Sequence, residues 1–141
     1  LERYEYYANP RNVFWRLMTE IFGMPAAMDY SDRARTLVAK GIGVWDVLAS
    51  SSRRGSLDAD IDLRTATAND FDRFFREHPA VARVFFNGRK AGELFARLGC
   101  EASLVAGQEL LTLPSTSPAF AAMPYAKKLA KWKVVAERAS P

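Results

Sequence analysis

The apolar positions of this chain fall into short runs with two different periods. Val13, Phe14, Leu17, Met18 and Ile21 recur at helical spacing. Asn9-Pro10 predicts where that helix begins, with Asn9 as its N-cap and Pro10 at the first helical position. Gly23 predicts its end, in a left-handed conformation. A second helix is predicted from near Ser31 to Gly41, with Leu37 and Val38 on its buried side. Ile42 to Leu48, with Val44, Trp45 and Val47, reads as a short buried strand. Ala49 to Ser56 reads as a polar loop, and the segment from there to Ala68 carries little pattern. Asn69 is expected to cap a helix bearing Phe71, Phe74 and Phe75, which Pro79 ends. Val81 to Phe86 is a second buried strand, Asn87-Gly88 a turn, and Arg89 to Leu98 a helix ended by Gly99. Glu109 to Leu113 is a third strand. The last helix is expected from Tyr125 to Arg138.

Strand, helix, strand, helix, strand predicts parallel pairing through right-handed crossovers. The expected fold is therefore α/β, a three-layer α/β/α sandwich around a mostly parallel central sheet. Ligands of such sheets sit at the carboxyl ends of the strands. Three polar segments, Ala49 to Ser56, Asn87-Gly88 and Pro114 to Pro118, are expected to converge on that edge.

The chain has 141 residues, 49% of them hydrophobic, which is enough for one domain with a real core. No apolar run is long enough to span a membrane as a helix, and no signal peptide is visible. The single cysteine, Cys100, cannot form an internal disulfide, which fits a reducing, cytoplasmic setting. The net charge of +4 is compatible with a polyanionic partner. The only histidine, His78, sits at a helix end beside Pro79, which leaves Ser-His-Asp and Cys-His catalysis without support. One Cys, one His and scattered carboxylates make a poor metal set, so no metal and no cofactor are expected. There is neither a GxxxxGK[ST] phosphate loop nor a GxGxxG turn.

Two stretches carry more chemistry than their elements need. Tyr6-Tyr7-Ala8-Asn9-Pro10-Arg11-Asn12-Val13-Phe14-Trp15 puts stacking rings and planar amides in front of an apolar helical face. Tyrosine offers a stacking face at low entropic cost, and asparagine offers an acceptor and two donors from one plane. These are the parts of a pocket for a flat, hydrogen-bonding ring. Asn9 and Pro10 also read as a plain helix start, and Tyr7 as ordinary core. Leu113-Pro114-Ser115-Thr116-Ser117-Pro118-Ala119 reads by itself as a Ser/Thr/Pro turn. Its place directly after a buried strand gives it a second reading, a loop whose hydroxyls and N–H groups grip phosphates. Arg53 and Arg54 read as solvated loop charges or as phosphate contacts. Lys127, Lys128, Lys131 and Lys133 read first as one solvated helix face and second as a DNA contact. Asp46, at the end of the expected strand, is either a pocket carboxylate or a loop cap.

The first stretch resembles the signature of the hypoxanthine (deoxyinosine) DNA glycosylases, a branch of the uracil-DNA glycosylase superfamily. The family pattern is Tyr-Tyr-Ala-His-Pro-x-Asn-x-Phe-Trp, with Asn9 here in place of the histidine. The second family pattern, Leu-Pro-Ser-Thr-Ser-Pro-Ala, stands unbroken at Leu113 to Ala119. Trp45-Asp46-Val47-Leu48 and Phe86-Asn87-Gly88 are similar to family segments as well. The resemblance implies an α/β/α sandwich that flips a deaminated base, hypoxanthine or uracil, out of DNA and hydrolyses its N-glycosidic bond. It implies Asn12 as the catalytic asparagine and Tyr7 as the stacking ring. Asn9, Asp46 and Asn87 join the expected pocket. Ser115, Thr116, Ser117 and Pro118 form the loop that enters or pinches the DNA, with Arg53 and Arg54 as further DNA contacts.

Relatives carry an earlier strand and a Gly-Ser-x-Pro-Gly loop ahead of the signature. This chain begins at Leu1 without them, and the expectation is that its first strand is missing from the sequence. No lysine stands near the signature, so base release without strand cleavage is expected. The expected partner is damaged duplex or single-stranded DNA, bound by a monomer on bacterial nucleoid DNA. Two other classes stay open, a catalytically inactive DNA- or nucleotide-binding module and an enzyme acting on free nucleosides.

Overall fold

The computed structural model describes residues 5–53, 61–105 and 107–137. The chain divides into two compact units, Leu1–Trp45 with Pro114–Arg138, and Asp46–Leu113 with Ala139–Pro141.

The first unit is helical. Helix α1 runs Phe14–Phe22 and ends at Gly23, whose φ of 68° lets its N–H turn back to the Thr19 carbonyl. Its start differs from expectation. Asn9 lies in a turn, its Oδ1 accepting from the Arg11 N–H at 2.8 Å, and does not cap the helix. The Phe14 N–H instead donates to Asn12 Oδ1 at 3.0 Å. Helix α2 (Tyr30–Ala39) is capped by Asp29, whose Oδ1 accepts from the Asp32 N–H. Leu37 is buried as expected, but Val38 is 69% exposed. Helix α5 (Tyr125–Trp132) continues into a 3-10 turn, Lys133–Ala136. Phe14, Trp15, Leu17, Met18, Met24, Leu37 and Trp132 are the buried apolar residues of this unit. Phe14 meets the rings of Trp15 and Trp132 edge-on, with centroids 5.0 and 5.9 Å apart, an arrangement that the aromatic quadrupole favours.

The second unit holds the described strands, and here the sequence expectation needs its largest correction. Ile42 to Val47 forms no strand, and Trp45 is 42% exposed. Strand β1 is Leu48–Arg53, most of the segment expected to be a polar loop. It pairs antiparallel with β2, Ile61–Ala68, and the register shifts between Leu48 and Ser52. Helix α3 (Phe71–Glu77) is capped by Asp70, which accepts from the Arg73 N–H, and not by Asn69. Asn69 instead ties its own N–H to the Val47 carbonyl and its Nδ2 to the Asp46 carbonyl.

Strands β3 (Arg83–Asn87) and β4 (Glu109–Leu113) do pair in parallel as expected, joined through helix α4 (Arg89–Arg97). Asn87 stands opposite Leu113 at their shared carboxyl end, where the Gly88 N–H donates to the Leu113 carbonyl at 2.9 Å. Phe75, Phe86, Phe95 and Cys100 form this unit's core. Gly92 on α4 lets the helix lie close to β3, since a Cβ there would meet the Phe86 ring at 3.3 Å. The architecture is thus mixed α and β. Its described strands form one parallel and one antiparallel pair in separate two-stranded sheets.

Candidate functional site

The two signature stretches meet inside the first unit. The Val13 N–H donates to the Thr116 carbonyl at 3.1 Å, so the loop from the far end of the chain takes up one of the N–H groups that a helix start leaves unpaired. Thr116 is 1% exposed and anchors the loop. On one side, the Pro114 carbonyl accepts from Trp132 Nε1 at 2.8 Å. On the other, Ser115 Oγ accepts from the Ser117 N–H and Ser117 Oγ from the Ala119 N–H, both at 3.1 Å. These are hydroxyl-mediated turns, and each hydroxyl keeps its proton for another partner.

Asn12 is half-buried. Its Oδ1 is spent on the Phe14 N–H, which fixes the amide plane. The two Nδ2 protons have no partner among the described residues, so Asn12 presents a donor. Tyr7 has a φ of +59°, an uncommon conformation for a residue with a side chain. Its ring lies on Phe14 with centroids 4.2 Å apart. Its neighbour Tyr6 is held from two sides. The Tyr6 N–H donates to the Tyr30 hydroxyl at 3.2 Å, and the Tyr6 carbonyl accepts from Trp15 Nε1 at 3.0 Å.

Between the stretches lies a cleft of about 260 Å³. Arg11, Val13, Thr116, Ser117 and Pro118 line it from the two signatures. Phe120, Met123, Tyr125 and Lys128 line it from the following turn and α5. Lys128 carried a DNA contact only as its second reading. It is 5% exposed, donates from Nζ to the Phe120 carbonyl at 2.8 Å, and burial pushes its pKa down. Two expectations change with it. One member of the lysine cluster faces inward, and a lysine does stand beside a signature. The sequence held a signal, because Tyr125, Lys128, Leu129 and Trp132 share one helical face. Nearby, the Tyr125 hydroxyl donates to Glu20 Oε1 at 2.8 Å and the Arg16 guanidinium covers its ring at 3.6 Å. Burial first, and then the Glu20 carboxylate, push the Tyr125 phenol up to about 12.

The other expected site residues belong to the second unit or lie outside the described residues. Asp46 is exposed and precedes β1, so the strand it was to terminate is absent. Asn87 is half-buried at the end of β3. Arg53 is the last residue of β1, and Arg54 lies outside the described residues. No group of three or more His, Cys, Asp or Glu side chains able to hold a metal occurs among the described residues. No helix among them is long and apolar enough to cross a membrane.

No protein-family model matches the chain. The fold is similar to the solution NMR structure of a Methanosarcina acetivorans protein put forward as a uracil DNA glycosylase. The TM-score is 0.72 at 36% identity, covering 92% of this chain and 76% of that one. Fold and signatures therefore define a uracil-DNA-glycosylase-like protein. The chain is 38% identical over 120 residues to a hypoxanthine DNA glycosylase of Methanosarcina acetivorans, covering 84% of this chain and 72% of that protein. It is 34% identical over 94 residues to the hypoxanthine DNA glycosylase of Methanosarcina barkeri, covering 66% of this chain and 58% of that protein. The chain belongs to the hypoxanthine DNA glycosylase family, a family of DNA N-glycosylases. These relatives are archaeal, so the expected bacterial setting draws no support.

Proposed function

We propose that this chain is a DNA N-glycosylase that hydrolyses the N-glycosidic bond of a flipped deaminated base, hypoxanthine or uracil. The reading takes both units as one glycosylase domain of α/β/α type, working as a monomer inside the cell. The observation that supports it is the Val13-to-Thr116 hydrogen bond, which ties the residue next to Asn12 to the Ser/Thr/Pro loop.

The target bond lies inside the base stack, so the nucleotide is extruded first, at a cost of a few kcal/mol that is least for a damaged pair. Tyr7 then stacks on the base, and Ser115, Ser117 and Pro118, with Arg53 and Arg54, hold the strand. As the C1′–N bond breaks, negative charge grows on the leaving base and positive charge on the sugar. Water adds to C1′ and the base departs with a proton. With Oδ1 occupied, the role that fits Asn12 is donor, Nδ2 to the base carbonyl where charge develops. Hypoxanthine and uracil both place a carbonyl next to a ring N–H, so one amide reads either. Asn9, Asp46 and Asn87 are proposed as pocket residues on the family resemblance alone.

Release is proposed without strand cleavage, and Lys128 makes that a direct test. Labelled duplexes holding deoxyinosine or deoxyuridine are incubated with the full chain, with and without borohydride. Free deoxyinosine is run in parallel at two salt concentrations. Base release from duplex that weakens with salt, with no trapped adduct, is expected. A borohydride-trapped protein–DNA adduct contradicts simple hydrolysis. Salt-insensitive turnover of the free nucleoside contradicts DNA as the substrate.

A further inference from the structure

Lys128 is a charge without a counter-charge. Its side chain is 5% exposed, and its ammonium lies 5.1 Å from the centroid of the Phe120 ring. An ammonium has three donors, and the Phe120 carbonyl takes one. No carboxylate pairs with Lys128 or with Arg11 among the described residues. The cleft that both line contains no acidic residue at all. Removing an ammonium from water without a partner is costly, and a fold that retains one has room for the missing anion to be a ligand.

The remaining lining narrows the chemistry. Arg11 is exposed at the cleft and brings a planar fork of donors, suited to two oxygens of one anion. Ser117 brings a hydroxyl whose oxygen is already oriented by the Ala119 N–H. The anchoring bond from Val13 to Thr116 makes one wall of the cleft from both signatures. A point charge, a guanidinium and a hydroxyl around a small opening suit a tetrahedral oxyanion.

We propose that the Arg11–Lys128 cleft is an anion subsite that takes a backbone phosphate of a nucleic-acid strand. Lys128 supplies the buried charge and Arg11 the outer one. The proposal rests on the DNA-glycosylase reading only for the identity of the strand.

The test measures binding of the full chain to an undamaged duplex across a series of potassium chloride concentrations. Lys128→Met, Lys128→Arg and Arg11→Gln are compared with wild type. Each phosphate contact contributes about 0.9 to the slope of log affinity against log salt. Lys128→Met and Arg11→Gln are each expected to lower the slope by about 0.9, and Lys128→Arg to keep it. Lys128→Met removes an uncompensated buried charge, so its Tm is expected to equal or exceed that of wild type. Arg11 is exposed, so Arg11→Gln reports even if the methionine variant fails to fold. Inorganic phosphate, titrated at constant ionic strength, separates the sources. A phosphate-dependent rise in wild-type Tm with unchanged duplex slopes in both neutral variants overturns the backbone assignment. Unchanged slopes with no phosphate effect overturn the subsite altogether. A chain that releases no base yet shows the slope change keeps this subsite and loses the glycosylase reading. A chain that releases base with unchanged slopes does the reverse.

Discussion

Asn12 carries two duties that a single substitution can separate. Its Oδ1 accepts from the Phe14 N–H at 3.0 Å in a turn just ahead of the Val13 N-cap of α1, while its Nδ2 is left to donate to a ligand. Asn12→Asp keeps the acceptor and removes the donor. An aspartate there accepts the same hydrogen bond, and a negative charge at a helix N-terminus is worth about 0.3–1 kcal/mol. The aspartate variant is therefore expected to melt at or slightly above the wild-type temperature. Asn12→Ala loses the hydrogen bond from the Phe14 N–H as well, at about 1 kcal/mol, which for a chain of this size is roughly 4 °C in Tm. On activity the order is different. Removing one donor aimed at developing charge costs about a hundred- to a thousandfold in rate. Asn12→Asp further places a carboxylate against a base that is becoming an anion, so its loss is expected to match or exceed that of Asn12→Ala. The assay pairs thermal melting with single-turnover base release from a deoxyinosine duplex. An aspartate variant that keeps release within about tenfold of wild type would refute the donor role. A destabilised aspartate variant would refute the stabilising role given to the acceptor on the Phe14 N–H.

Two further outcomes follow from the same unit. Trp132→Phe keeps the edge contact with Phe14 but strips the Pro114 carbonyl of its indole donor. An orphaned, part-buried acceptor costs about 1–3 kcal/mol, so thermal melting is expected to fall by several degrees and base release to drop with it; a Tm within one degree of wild type would count against the Trp132–Pro114 tether. Tyr125 is protonated in the fold up to about pH 12, whereas the unfolded phenol ionises near 10. Its contribution is fully present below pH 10 and is lost as pH rises toward 12. Denaturant unfolding at pH 9, 10 and 11 is expected to show a decline in wild type that Tyr125→Phe lessens, and parallel curves would sink the claim.

What the sequence disclosed follows from how far each determinant reaches. β3 and β4 were legible because Val84-Phe85-Phe86 and Leu110-Leu111 are apolar runs bounded by turn residues. β1 was not, because Leu48–Arg53 is mostly small and polar and owes its strand form to pairing with β2. The helix start was misplaced at Asn9-Pro10 for a related reason. That pair is a good start taken by itself, and the contact made at the observed start, from the Val13 N–H to the Thr116 carbonyl, comes from far along the chain. The two signature stretches were readable as a pair, and the bond between them is the physical form of that pairing. Lys128 was misjudged because its charge suggested solvent while its position, between Tyr125 and Trp132 on one helical face, pointed inward. The strand expected to present Asp46 does not form, because Ile42 to Val47 has no pairing partner among the described strands, so its pocket role rests on the family resemblance.

The central claim is base release, and the most direct measurement is single-turnover kinetics under enzyme excess. Labelled duplexes carry one deoxyinosine or one deoxyuridine, and bound and cleaved fractions are read from the same sample. First-order release of the base from at least one of the two, absent from an undamaged duplex, is expected. Tight binding of both lesion duplexes with no release would contradict it and leave a binding module in its place.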